Sequence, residues 1–236
     1  MNFSFSQLFK DAFKDTKENF SVLIGLILLI FLGSFLLGIG VNLVTKLMPS
    51  IGFILNIASN LLQAYITLGF LKVCLLIVRG KTYDTEDLFV PFSYVLRYMV
   101  VVFAFVFIAI VIALPFIFSI DLTGVTNYES FFETVKHISS TSLMLLLATL
   151  AIYFYLACRI LFYTYLIIES DFSTNDLIIE SFRMTKGKVG MVIGFFFILI
   201  ALNILGALLL LVGLLFTVPM SYLAMARLYT IFADET

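Results

Sequence analysis

Asn56, Asn60, Gln63 and Thr67 recur at i, i+4, i+7 and i+11 inside a long apolar run, so a helix there carries all four on one face. An amide in hydrocarbon needs hydrogen-bond partners, and that face is expected to look inward. Two kinds of chemistry fit. One is hydrogen bonding between helices, at about 0.6–2 kcal/mol a contact. The other is a polar pathway or a headgroup-binding groove, to which Ser34 and Asn203 would contribute from neighbouring runs. Arg159 adds an option for anions. It lies ten residues before Glu169, about 15 Å along a helix, and a guanidinium grips phosphate as a fork. Its structural alternative is a charge pair, with Glu180 among the partners, or the capping of helix-end carbonyls. Asn56, Asn60, Gln63, Arg159 and Asn203 together form the candidate polar groove or anion and lipid-headgroup site.

No reaction centre stands beside them. His137 is the one histidine, and its spacing from Glu133 suits a solvated ion pair on a short helix over 128–138. No HExxH motif and no cysteine pair at metal spacing occurs. A catalytic triad would have to be built around that single histidine. The expectation is a protein that is not an enzyme, with no catalytic, cofactor-binding or metal-ligating residues and no cofactor. Lys186, Gly187 and Lys188 lack the upstream glycine of a phosphate-binding loop and read as a surface charge cluster, worth about 1 kcal/mol per cation toward anionic lipid. A net charge of −1 excludes a strongly basic nucleic-acid binder.

The elements that position these residues follow from composition. With 62% hydrophobic and 12% charged residues among 236, the chain lies far outside the range of an ordinary water-soluble domain. A bilayer core about 30 Å thick takes roughly 20 helical residues. Apolar runs over 21–44, 52–78, 98–120, 142–168 and 190–233 reach that length, and the last holds a helical hairpin. The runs do not alternate in polarity, which excludes a β-barrel. The fold class is therefore all-α: a polytopic membrane protein with six transmembrane helices. The first run is longer than a signal peptide's and follows a charged amphipathic segment, so it reads as a retained span. Cys74 and Cys158 both fall inside runs, which argues against a disulfide framework.

Cations sort to one side of these runs. Lys10, Lys14 and Lys17 precede the first; Arg79, Lys81 and Arg97 fill the second connection; Arg183, Lys186 and Lys188 fill the fourth. The other side holds only Lys46 and Lys136. Short loops rich in Lys and Arg stay in the cytoplasm, which places both termini there. Lys72, Arg159 and Arg227 fall within runs, each costing about 2.5–3.5 kcal/mol at the bilayer centre. By this threading all three lie in the cytoplasmic half, where long side chains reach the headgroups.

Amphipathic cytoplasmic helices are expected in the interface before alternate spans. The first presents Phe5, Leu8, Phe9, Ala12, Phe13 and Thr16 on one face. The second, from 84 to 92, is interrupted by Pro91. The third opens on Ser173 with Asp176 as a capping pair. An internal correspondence links the ends of the chain: Leu8, Phe13, Thr16, Lys17, Ile24 and Gly25 align without gaps on Leu177, Phe182, Thr185, Lys186, Ile193 and Gly194. One membrane domain over 1–236 follows, with helix-hairpin repeats at 1–80, 81–168 and 169–236. Ser21 with Gly25 and Gly190 with Gly194 have the spacing that lets helix backbones approach closely.

Arg159 and the aromatic-apolar run to Ile168, then Ser173, Thr174, Asn175, Asp176, Ser181, Thr185, Lys186, Gly187, Gly206, Gly213, Pro219 and Tyr222, carry a further signal. Over 155–233 the chain resembles a bacterial family of six-span membrane proteins of unknown function. That family is related to the membrane portion of some glycerophosphodiester phosphodiesterases. The resemblance implies a bacterial plasma-membrane protein with six helices. No stretch of this sequence corresponds to the phosphodiesterase domain, so that catalysis is not implied.

The function expected is a non-enzymatic integral membrane subunit or scaffold supporting an envelope membrane complex. Its partners would be the lipid bilayer and a membrane protein or a second copy of the chain, with no nucleic acid. The alternative is a transporter or lipid-handling protein that uses the polar groove. What separates them is whether the polar side chains line one continuous cavity.

Overall fold

The computed structural model describes residues 4–120, 139–209 and 212–235, and no strand occurs among them. Among the described residues nine α-helices follow in order: α1 Phe5–Glu18, α2 Phe20–Leu47, α3 Pro49–Val78, α4 Phe92–Phe118, α5 Ser140–Arg159, α6 Tyr163–Glu169, α7 Thr174–Met184, α8 Val189–Leu208 and α9 Leu214–Ala233. Six segments are long and apolar enough to cross a bilayer: α2, α3, α4 with its preceding turn, α5 continued by α6, α8 and α9. The all-α polytopic class holds. Lys136, His137, Glu133 and the helix expected over 128–138 lie outside the described residues.

Prolines set two of the boundaries. Pro49 opens α3 at its first turn, where its missing N–H would have had no partner anyway. Pro91 restricts Val90 to extended backbone and serves as the N-cap of α4. The amphipathic helix expected over 84–92 is therefore a single 3₁₀ turn, Thr85–Leu88, closed by an Asp84–Asp87 capping box. In consequence α4 starts at Phe92, earlier than the expected 98, and Arg97 lies inside it.

The fourth span is broken. Tyr163 donates its N–H to the Ile160 carbonyl, which leaves the Arg159 carbonyl without its helical partner. Ser181 Oγ at 3.0 Å and Thr185 Oγ1 at 3.3 Å reach across from α7 and donate to it. Ser173 caps α7 as the sequence suggests, accepting from the Asp176 N–H.

Neighbouring spans form a closed ring, α2–α3–α4–α5–α8–α9 and back to α2, with α3 and α9 also meeting across it. Of the most apolar stretches, half of that in α3 and 39% of that in α9 are buried, against 6% in α2 and α4, so α3 and α9 are the posts of the bundle. Burial concentrates at one end. It comprises Leu8, Ala12 and Thr16 of α1, the C-terminal part of α3, most of α6, and Met220 to Phe232 of α9. Toward the other end Leu36, Phe53, Phe107, Leu147 and Leu205 are bare, a surface suited to lipid and not to water.

The buried end is also the charged end. Tyr83 Oη donates to Asn19 Oδ1 at 2.9 Å, Arg79 Nε lies 2.6 Å from Glu169 Oε1, and Lys188 pairs with Glu235. The Lys188 ammonium holds the Glu235 carboxyl below its ordinary pKa. These contacts bring α1, the 79–91 connection, the α7–α8 turn and the C-terminus to the same end. Helix α1 does not simply lie on a membrane surface. Its apolar face docks on the bundle, with Phe9 stacked on Phe195 at 5.6 Å and Phe13 against Phe216 at 5.2 Å, while Lys10, Lys14 and Lys17 stay exposed.

The glycines expected to permit close helix contact do not do so. A methyl at Gly25 or Gly190 would meet nothing within 4 Å, and at Gly194 only the Phe5 ring at 3.9 Å. Close approach occurs instead at Gly52, against Thr45, and at Gly69, where the Leu88 carbonyl of the 3₁₀ turn presses on the backbone of α3.

Candidate functional site

The sequence-selected polar residues lie in separate places. Asn56 and Asn60 are exposed on the half of α3 away from the charged end. Each donates one amide hydrogen to a carbonyl of its own helix, Gly52 O at 2.9 Å and Asn56 O at 2.8 Å. Gln63 is half-buried on the same face, and its Oε1 accepts from Ser34 Oγ at 2.6 Å. Thr67 Oγ1 donates to the Gln63 carbonyl at 2.8 Å. This group borders a cavity of about 290 Å³ whose other walls include Phe31, Phe70, Val218 and Tyr222.

Asn203 is elsewhere and fully engaged. Its Nδ2 donates to Leu199 O at 2.9 Å and to Ser221 Oγ at 2.8 Å, while Thr217 Oγ1 donates to its Oδ1 at 3.1 Å. It ties α8 to α9. Arg159 is a third location: its guanidinium lies over the Phe182 ring at 4.8 Å, with Nε buried and unpartnered. Glu180, the expected partner, pairs with Arg183 at 3.5 Å instead.

The five residues therefore do not line one groove. Helical spacing correctly puts the α3 residues on one face. However, that face meets Ser34 of α2 at Gln63 and shares a cavity with Val218 and Tyr222 of α9 beside Gln63 and Thr67, while Asn56 and Asn60 past them are exposed. Its extension on α2 beyond Ser34, to Gly38 and Asn42, was not selected from the sequence. Ser34, Gly38 and Asn42 follow at four-residue steps on the face that meets Gln63. Asn42 is exposed like Asn56 and Asn60, with Nδ2 donating to Gly38 O at 3.0 Å. The step from Ser34 was the available signal.

Two other features were not legible in the sequence. The Tyr165 hydroxyl is buried without a partner beside a cavity of about 280 Å³ bordered by Leu71, Thr164, Ser221 and Tyr222. At the charged end a larger cavity, about 410 Å³, lies between the ends of α3 and α6, with Lys72, Arg79, Lys81 and Glu169 in its wall. No family model, no curated protein and no solved structure matches the chain.

Proposed function

We propose that this chain is a non-enzymatic integral membrane subunit, a scaffold that supports an envelope membrane complex, with the amide face of α2 and α3 as its assembly surface. The observation that carries this reading is the exposure of Asn42, Asn56 and Asn60 on otherwise apolar, lipid-suited helices. Each amide has one hydrogen tied to its own helix. Its second hydrogen and its oxygen are left to find partners. Hydrocarbon offers none, whereas a neighbouring helix with polar side chains does. That neighbour belongs to a partner membrane protein or to a second copy of the chain.

The charged end faces the cytoplasm in this reading, because it gathers the Lys- and Arg-rich short connections. Residence in a bacterial plasma membrane is what the family resemblance over 155–233 suggests. Descent from a triplicated unit of surface helix plus hairpin accords with the layout of α1–α3 and α7–α9. The alternative, passage of a solute or lipid along a shared polar groove, loses its main support because the candidate residues lie apart.

Replacing Asn42, Asn56 and Asn60 together by leucine tests the proposal. Each lost contact is worth roughly 0.6–1.7 kcal/mol. Extracted in native-lipid discs, the unaltered chain is expected in particles heavier than one protomer, and the triple variant as single protomers with an unchanged melting temperature. An unaltered chain found alone, or a variant that stays assembled, overturns the reading.

A further inference from the structure

We propose that the cavity between α3 and α6 at the charged end binds a phosphate group, carried by an anionic phospholipid. This site is independent of the amide face.

Its backbone frame is built by the end of α3. Gly80 adopts φ +64°, a conformation that favours glycine. The Gly80 N–H then bonds Ile77 O at 3.0 Å and the Lys81 N–H bonds Leu76 O at 2.9 Å, the paired bonds of a Schellman cap. This turn folds Lys81 back beside Leu76, which borders the same cavity.

The cations are held ready for an anion. Arg79 donates through Nε and Nη2 to the two oxygens of Glu169, each at 2.6 Å. A guanidinium has five N–H donors, so three remain. Lys72 Nζ sits 2.9 Å from Asp87 Oδ1 with two further hydrogens to give. Lys81 has no ion pair among the described residues. Three cations stand against two carboxylates, Glu169 in the wall and Asp87 on Lys72, which leaves one positive charge in excess, while Leu75, Leu76 and Ile168 supply apolar surface beside it. That combination fits a phosphate joined to a glycerol and acyl chains. A free phosphate shares the charge but not the apolar part.

The test uses the full chain in discs of phosphatidylcholine alone or mixed with phosphatidylglycerol, with melting temperature followed against the anionic fraction. The unaltered chain is expected to melt several degrees higher with phosphatidylglycerol. Lys81→Gln and Lys72→Gln should each raise the half-saturating fraction about fivefold, the equivalent of about 1 kcal/mol per cation. Lys81→Gln breaks no ion pair, so its fold is retained. The double variant Lys10→Gln, Lys17→Gln, on the exposed face of α1, removes twice the charge of either single variant and should leave the half-saturating fraction unchanged. In plain phosphatidylcholine discs, millimolar inorganic phosphate should give little stabilisation. Stabilisation by phosphate alone that Lys81→Gln abolishes would overturn the lipid assignment in favour of a soluble anion. No effect of either anion, or an equal loss in the α1 control, would overturn the site itself.

Discussion

Gly69→Ala is expected to cost about 1–3 kcal/mol, the range for forcing extra volume into a packed contact. The added methyl would sit 2.1 Å from the Leu88 carbonyl oxygen and 2.9 Å from its carbon, backbone atoms that cannot rotate away. The 3₁₀ turn must retreat. That strains the Lys72–Asp87 pair and uncovers the small cluster of Ala64, Leu68, Val90 and Val95 beneath it. Gly25→Ala and Gly190→Ala should be neutral or slightly stabilising, because open space surrounds both and alanine favours helix by about 1 kcal/mol over glycine. Melting temperatures of the three variants in one detergent decide it. Equal losses at all three positions would show that the close approach of the turn to α3 is wrong.

Arg227→Met should release α1 from the bundle. The guanidinium bonds Asp15 through Nε at 2.7 Å, with Asp11 3.9 Å from Nη1, and the Asp15 side chain is only 13% exposed. Hydrogen bonds to charged groups contribute about 1.5–3 kcal/mol, and removing this partner strands a carboxylate as well. Burial already raises the Asp15 pKa above its ordinary value, with Arg227 opposing that rise. Without Arg227 the folded-state pKa climbs further. A raised folded pKa means that the folded form holds the proton more tightly than the unfolded form. The variant's deficit is therefore full above the folded-state pKa. It shrinks as pH falls through the folded pKa and is gone below the unfolded value of about 3.9. Adding Asp15→Asn should recover much of the loss at pH 7. Protease cleavage of α1 followed from neutral pH down to the unfolded value of about 3.9 reads this directly, and a deficit indifferent both to pH and to Asp15→Asn would refute it.

The spans were legible because apolar length alone identifies them. The 142–168 run concealed the break after Arg159, since residues 160–163 are apolar or aromatic and no proline or glycine marks it. Ser181 and Thr185 were visible, but their donation to the Arg159 carbonyl depends on where α7 lies. The same limit governs the polar stripe. Periodicity fixed the face of α3 shared by Asn56, Asn60, Gln63 and Thr67, yet only the packing of α2 and α9 around α3 decides which of them is covered. Glycine spacing misled for a related reason. Gly25 and Gly190 have the pattern of a packing motif, whereas Gly69 has no such pattern and is pressed by a turn distant in sequence.

Photo-crosslinking inside intact membranes tests the assembly surface most directly. A photoreactive residue at position 56 or 60 should capture a protein partner and shift the band by the mass of another chain. The same probe at position 107, on a bare apolar face of α4, should capture only lipid. Protein adducts absent at 56 and 60, or equally abundant at 107, would contradict an assembly role for the amide face.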